Sequence, residues 1–248
     1  MIQYLPKLYY SAQVEGLFDN ELTILVPEYA DEHLKEVLYS FIEQLKNVKV
    51  HTLSSNQMAH CKELIYMESA TQMIDHEKYV SYSDMIVPKK VAQTIKENLV
   101  TPFISKYYSK ELSTNPKLYI RRKNASDRNI LNVDELEEFF EKEGFTIIEP
   151  HLLSFSEKVN LFHNAEFIAG PNSAGFSNLI FSHPGTKVLM FSNLQRAFEP
   201  YLSFFDQHFE LNFLTIIGND EDAADSHSSF YIPMEKVKTA YKQLTVNS

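Results

Sequence analysis

Residues 165–178 read AEFIAGPNSAGFSN, and this stretch decides the fold of the second half of the chain. An apolar run over residues 167–169 ends at Gly170-Pro171, and two short polar residues separate it from Ala174-Gly175 and a second apolar segment. This order predicts a strand, a tight turn and the start of a helix. Because glycine lets a backbone approach a ligand and helix N-termini attract anions, the turn is a candidate phosphate site. A turn of this kind also joins strand to helix in α/β proteins without any ligand.

The alternation of strand and helix continues on both sides of this stretch. Strands are predicted at residues 118–120, 145–148, 188–191 and 211–217, and helices at 133–143, after Ser154 or Ser156, and at 234–244. Asn132 is predicted to cap the first of these helices. Strands that alternate with helices predict a parallel sheet, so residues 101–248 are expected to form a Rossmann-like domain.

The first half of the chain shows a similar but less regular pattern. It contains predicted strands at residues 22–26, 48–53, 64–67 and 85–87, a helix after Asp31, and a helix over 89–108 that Pro102 must start, kink or split. Residues 1–100 are therefore expected to form a second Rossmann-like domain. The predicted fold class is α/β, with two Rossmann-like domains that face each other across a cleft.

Charge and cysteine content restrict the function. The net charge of −10 argues against a nucleic-acid partner, which requires a basic stripe, but a local basic cluster can still hold a small anion. Cys61 is the only cysteine, so a reducing compartment such as the cytoplasm is expected, and this residue is predicted to be buried. The N-terminus lacks the pattern of a signal peptide, and no apolar run is long enough to span a bilayer.

A basic segment follows the predicted strand 118–120. It contains Arg121, Arg122 and Arg128, and guanidinium groups fork onto phosphate oxygens. The segment and the Gly170 turn both follow strands, and ligands of parallel sheets bind at these strand ends. The basic segment and the Gly170 turn together predict a diphosphate site. For the basic segment alone, the alternative is a solvated turn without a ligand.

An acidic loop near the C-terminus is a second place where a ligand could bind. It contains Asp220, Glu221, Asp222, Asp225 and His227, but the spacing matches no calcium loop. A solvated loop is the preferred interpretation, and no metal site is predicted.

A longer series of motifs links the two segments of the predicted diphosphate site. Arg122 and Arg128 precede NVDEL (132–136), GFTIIEP (144–150) and LFHNAEFIAGPNSAGFSN (161–178), and Pro184-Gly185 follows. In this order and spacing, residues 118–191 resemble the C-terminal half of glycosyltransferase family 61, the capsular-polysaccharide-biosynthesis type of transferase.

The resemblance implies a two-domain GT-B fold whose C-terminal domain binds the nucleotide. It implies an inverting, metal-independent transfer of a hexose or pentose, without a cofactor, from a nucleotide-sugar donor. The acceptor would be a glycan or lipid-linked glycan of capsule or lipopolysaccharide, at the inner face of the membrane. The catalytic residues stay unassigned, and the expected nucleotide-sugar contacts are Arg121, Arg122, Arg128, Asn132, Gly170, Asn172, Ser173, Ala174 and Gly175.

The chain departs from the family pattern at two places within this region. The His-Gly pair of the family is Asn172-Ser173 here, and the strand 188–191 lacks the usual glutamate near its end, where Met190 stands. Asparagine donates a hydrogen bond but transfers no proton near neutral pH. The alternative is therefore a catalytically inactive relative that binds a glycan or a nucleotide, and a third possibility is an interaction domain without a small ligand.

Overall fold

The computed structural model describes residues 20–30, 32–43, 45–65, 72–76, 79–86, 89–109, 116–122, 127–197, 205, 208–222 and 224–246. The chain divides into two compact units, Met1–Gln72 with Val87–Phe103 and Met73–Ile86 with Ile104–Ser248. The GT-B arrangement and the predicted domain boundary at residue 100 stay predictions.

The first unit contains one β-α-β motif. Strand β1 (Leu22–Pro27) pairs in parallel with β2 (Val48–Leu53), and helix α1 (Glu32–Ile42) connects them. Both strands and the helix were predicted. In the described part of this unit the parallel sheet has two strands, fewer than a Rossmann-like domain requires.

Two predictions in the first unit are wrong. Leu64 and Ile65 lie outside any strand and are 77% and 45% exposed, while residues 66–67 of that predicted strand lie outside the described residues. Cys61 is exposed, not buried. The secondary structure of a short apolar segment is ambiguous when the sequence alone is known, which explains the wrong assignment of this strand.

The predicted helix over residues 89–108 is interrupted before its proline. Helix α2 (Lys89–Ile95) continues into a π-helical turn (Lys96–Val100), and α3 (Thr101–Tyr107) follows. The Thr101 N–H donates to the Lys96 carbonyl, five residues earlier. Since Pro102 has no N–H and clashes with the carbonyl four residues before it, the wider turn accommodates the ring. The predicted effect of Pro102 is confirmed.

A small sheet lies at the start of the second unit, except for its first residue, Gln72, which belongs to the first unit. Strands β3 (Gln72–His76) and β4 (Tyr79–Ile86) form a two-stranded sheet. The predicted strand at 85–87 is confirmed at its first two residues, but β4 begins at Tyr79.

The main sheet of the second unit has five parallel strands. They are β5 (Lys117–Ile120), β6 (Phe145–Ile148), β7 (Phe167–Pro171), β8 (Lys187–Ser192) and β9 (Asn212–Ile217). Their order is β6-β5-β7-β8-β9, and every neighbouring pair is parallel. This is the flavodoxin-like order of doubly wound sheets, and the predicted parallel sheet is confirmed.

The core lies on the central strands of this sheet. All residues of β7 and β8 are buried, as expected for strands covered on both faces. Tyr119, Phe167 and Phe191 pack with Leu136 and Phe140 of helix α4 (Val133–Lys142). Helix α6 (Met234–Val246) packs against the same cluster.

The two predicted helix caps have different outcomes. Ser154 caps helix α5 (Phe155–Asn164) with a complete capping box to Glu157. Asn132 precedes α4 but makes no side-chain cap. Its Nδ2 donates to the Ile232 carbonyl at 2.9 Å and its Oδ1 accepts the Ile232 N–H at 3.0 Å, so a distant segment occupies the amide that was predicted to cap the helix.

Strands β10 (Asn219–Asp220) and β11 (Phe230–Tyr231) form a short antiparallel pair after β9. None of the helices in the described ranges combines the length and the apolar character that crossing a membrane requires.

Candidate functional site

The strand order creates a switch point between β5 and β7. Strand β6 lies on one side of β5 and β7 lies on the other, so the chain winds away from this boundary in both directions. In doubly wound sheets, ligands bind at the carboxyl ends of the strands that flank such a point. Arg121 follows β5 and Asn172 follows β7, so the fold brings both predicted segments to this edge.

Gly170 and Pro171 are the last two residues of β7, not the start of the turn. Gly170 pairs with Met190 and Pro171 pairs with Phe191. Gly170 has φ +150, and a Cβ there would lie 2.6 Å from the Ile120 carbonyl oxygen. The close approach of β7 to β5 therefore requires glycine at this position, whether or not a ligand is present.

Gly175 faces the same neighbour. A Cβ on it would lie 2.9 Å from Ile120 Cγ2 and 3.4 Å from Pro150 Cγ. Packing against β5 thus accounts for Gly175 as well, and the binding role of both glycines stays a prediction.

The helix after the turn is a 3-10 helix (Ala174–Phe181), whereas the sequence predicts an ordinary helix start. Ser173 precedes it in an extended conformation, and its side chain makes no cap. The Phe176 N–H donates to the Ser173 carbonyl at 3.0 Å. The N–H groups of Ala174 and Gly175 come before this bond and have no acceptor within the helix.

Asn172 connects this turn to the segment after β8. It is buried, and its N–H donates to the Phe191 carbonyl at 2.7 Å. Its Nδ2 lies 3.3 Å from both Ser192 Oγ and the Arg196 carbonyl oxygen. The residue that replaces the histidine of the family pattern therefore holds the main chain at Arg196.

The three predicted arginines have different surroundings. Arg121 forms two hydrogen bonds with Glu137 of α4, at 2.8 and 2.5 Å. Arg122 Nη1 donates to the carbonyls of Asp127 and Arg128, at 2.7 and 3.0 Å, and Nη2 donates to Asp127 Oδ1 at 2.7 Å. The Arg121 side chain is thus bound to helix α4, and the Arg122 side chain stabilises the loop that contains Arg128.

Arg128 lies close enough to two other arginines to be affected by their charge. Its φ is +52, and its Nε lies 3.4 Å from Asp127 Oδ2. Burial, followed by the charges of Arg196 and Arg122, lowers the pKa of Arg128. We refer to Arg122, Arg128 and Arg196 as the arginine cluster. Crowded guanidinium groups of this kind favour a multivalent anion.

Arg196 was not predicted from the sequence as a site residue. It follows β8 at the same sheet edge, as Arg121 follows β5. This position after a strand is the signal from which Arg196 could have been predicted. Asn193 positions the short turn that carries it, since its Oδ1 accepts the Arg196 N–H at 3.1 Å and its Nδ2 donates to the Ser226 carbonyl at 2.9 Å.

The loop of residues 127–132 runs beside residues 227–232. The Arg128 N–H donates to the His227 carbonyl at 3.0 Å, and Ile130 forms a parallel bridge with Phe230. His227 Nδ1 lies 2.6 Å from Asp127 Oδ2. Hydrogen bonds from His227 and then Arg122 hold the pKa of Asp127 well below its usual range.

Three aspartates of the acidic loop accept backbone N–H groups, two from the loop itself and one from the turn after β8. Asp220 Oδ2 accepts the Leu194 N–H, Asp222 Oδ1 accepts the Ala224 N–H, and Asp225 Oδ1 accepts the His227 N–H. Across the described ranges, no group of three or more His, Cys, Asp or Glu side chains could hold a metal ion.

These features define an α/β protein with a candidate anion site at the switch point of a parallel sheet. The model of the family Glycosyltransferase 61 matches residues 1–189, more than half of the chain, and the chain belongs to this family. The predicted family membership is confirmed. No curated protein matches the chain. The family match ends within β8, so Arg196 and His227 lie beyond it.

Proposed function

We propose that this glycosyltransferase uses a nucleotide-sugar donor whose diphosphate binds to the arginine cluster. The observation that carries the proposal is the placement of three arginines after β5 and β8 at one sheet edge, where Arg122 Nη1 donates to the Arg128 carbonyl and Asn172 Nδ2 donates to the Arg196 carbonyl. Burial and the charges of Arg196 and Arg122 also lower the pKa of Arg128. The N–H groups of Ala174 and Gly175 supply further donors at the same edge.

The chemistry follows from the charge of the leaving group. When an acceptor hydroxyl attacks the anomeric carbon, negative charge grows on the departing diphosphate. Fixed guanidinium groups stabilise this charge, as a divalent cation does in other phosphate sites. Arg128 and Arg196 would contact the phosphates, whereas Arg122, Asn132 and Asn172 would hold the segments that carry them.

The finer features of the proposal rest on the family resemblance. They are inversion at the anomeric carbon, a metal-independent reaction, a capsule or lipopolysaccharide acceptor, and a cytoplasmic position at the inner face of the membrane.

Calorimetric titration with UDP, GDP, CDP and ADP tests the proposed donor site. At least one should bind, and Arg128→Gln and Arg196→Gln should each weaken binding about tenfold to a hundredfold, because a charge-assisted hydrogen bond contributes about 1.5–3 kcal/mol. The control is Lys142→Gln, since Lys142 is an exposed partner of Glu138 on α4. Equal affinity in the Arg128 and Arg196 variants and the wild type would overturn the proposal.

Incubation with the matching nucleotide sugars separates transfer from binding alone. Release of the nucleoside diphosphate in the presence of a glycan acceptor supports transferase activity. Binding without any release of the nucleoside diphosphate would identify the inactive relative instead.

A further inference from the structure

Asp127 and His227 form a paired carboxylate and imidazole at the edge of the arginine cluster. The distance from His227 Nδ1 to Asp127 Oδ2 is 2.6 Å, and the His227 and Asp127 side chains are 63% and 23% exposed. The His227 backbone is fixed on both sides, because its N–H donates to Asp225 Oδ1 at 2.8 Å and its carbonyl accepts the Arg128 N–H at 3.0 Å. One ring nitrogen is therefore anchored, and the imidazole is open to solvent.

This geometry selects one form of the imidazole. The Arg122 guanidinium also binds Asp127 and helps hold the pKa of its carboxyl well below the usual range, so the carboxylate is ionised at neutral pH and only accepts hydrogen bonds. Nδ1 must then carry the proton of neutral His227, which leaves the lone pair on Nε2. A carboxylate in this position also stabilises the imidazolium that forms when Nε2 takes up a proton.

Two contacts place the pair beside the cluster. Asp127 Oδ1 accepts a hydrogen bond from Arg122 Nη2 at 2.7 Å, while Oδ2 holds the imidazole. The backbone of Arg128 is bonded directly to that of His227. A proton acceptor thus stands next to the groups that would bind the leaving diphosphate.

We propose that His227 is the catalytic base of the transfer and that Asp127 is its positioning residue, an inference that rests on the proposed function. The acceptor hydroxyl gives its proton to His227 Nε2 as its oxygen forms the bond to the anomeric carbon. The bond from that carbon to the diphosphate oxygen breaks, and the electron pair leaves with the diphosphate. The imidazolium then releases its proton to solvent. His227 lies outside the family match.

The tautomer of His227 tests the pair without any substrate. Nitrogen-15 NMR of the full-length chain, labelled at histidine, reports which ring nitrogen carries the proton, and His227→Gln assigns the signal. In the neutral state the proton should reside on Nδ1, and Asp127→Asn should reduce that preference. A proton on Nε2 in the wild type would overturn the proposal.

Kinetics with a donor that is turned over test the catalytic role. His227→Ala should lower kcat about a hundredfold or more, leave nucleoside-diphosphate affinity unchanged, and regain activity when imidazole is added. The control is His151→Gln, because His151 is an exposed histidine whose Nε2 lies 3.7 Å from Glu149, and its kcat should equal that of the wild type. Full kcat in His227→Ala, or a loss that imidazole does not restore, would overturn the proposal.

The two proposals fail in different ways. If wild-type protein turns over no nucleotide sugar, the proposed function fails, whereas the tautomer still decides whether Asp127 holds His227 as described.

Discussion

Arg121 and Glu137 form an ion pair with two hydrogen bonds between the end of β5 and helix α4. Arg121 Nε lies 2.8 Å from Glu137 Oε1, and Nη2 lies 2.5 Å from Oε2. The Glu137 side chain is only 9% exposed, and a buried carboxylate requires a partner. Arg121 therefore fixes α4 at the sheet edge where the sequence predicts a phosphate contact.

The first prediction concerns this pair. Arg121→Met should lower the free energy of unfolding by about 3–5 kcal/mol, because it leaves Glu137 buried without its cation. Urea denaturation measures the loss, and Arg121→Met with Glu137→Met should recover part of it. Unchanged stability with lost nucleoside-diphosphate binding would show instead that Arg121 contacts phosphate.

The second prediction compares two glycines with positive φ. Gly185 has φ +86, and a Cβ added to it would meet no described atom within 4 Å, whereas a Cβ on Gly170 would meet the Ile120 carbonyl oxygen at 2.6 Å. Gly185→Ala should cost about 1–2 kcal/mol from backbone strain alone. Gly170→Ala should cost about 1–3 kcal/mol more from overpacking. Equal unfolding free energies for the two variants would contradict the packing of β7 on β5.

The third prediction concerns Asn172. Asn172→Ala removes the donor to Ser192 Oγ and the Arg196 carbonyl, so stability should fall by about 1–3 kcal/mol. Nucleoside-diphosphate affinity should fall too, since the segment that carries Arg196 is released. Asn172→His keeps a ring N–H and should retain more affinity in calorimetric titration. Wild-type affinity in Asn172→Ala would show that Arg196 needs no such support.

The fourth prediction is a pH dependence of stability. The pKa of Asp127 is depressed in the folded chain, and an unfolded aspartate titrates near about 3.9. The stabilisation is therefore complete above that pH and is lost as the pH falls toward the lower folded-state pKa. The difference in unfolding free energy between wild type and Asp127→Asn should shrink as the pH falls from about 5 to 2. A difference that stays constant would contradict the Asp127 contacts.

Local patterns predicted the second unit well. Strand β7 and residues 188–191 of β8 are continuous apolar runs because both faces are covered. Ser154 lies three residues before Glu157, the spacing of a capping box. These features depend on residues that are close together in the chain, so a single sequence is enough to predict them.

The prediction of the candidate site was limited because its contacts join residues that are far apart in the sequence. Arg121 reaches Glu137, Asn132 reaches Ile232, and Asp127 reaches His227. The sequence predicts the charge of each group but not its partner, so the pair of Arg121 and Glu137 could not be predicted. The packing of Gly170 and Gly175 against Ile120 could not be predicted for the same reason, since the proximity of Ile120 arises only when β5 and β7 pair.

The backbone contacts between residues 127–132 and 227–232 connect the loop that contains Arg128 to a segment about 100 residues later in the chain. The N–H groups of Arg128 and Leu131 both donate to carbonyls in that distant segment. A chain shortened at residue 189 would retain every matched family residue and still lose these acceptors. Exchanging the residues after 189 between relatives would therefore alter the proposed anion site without changing any residue that the family model matches.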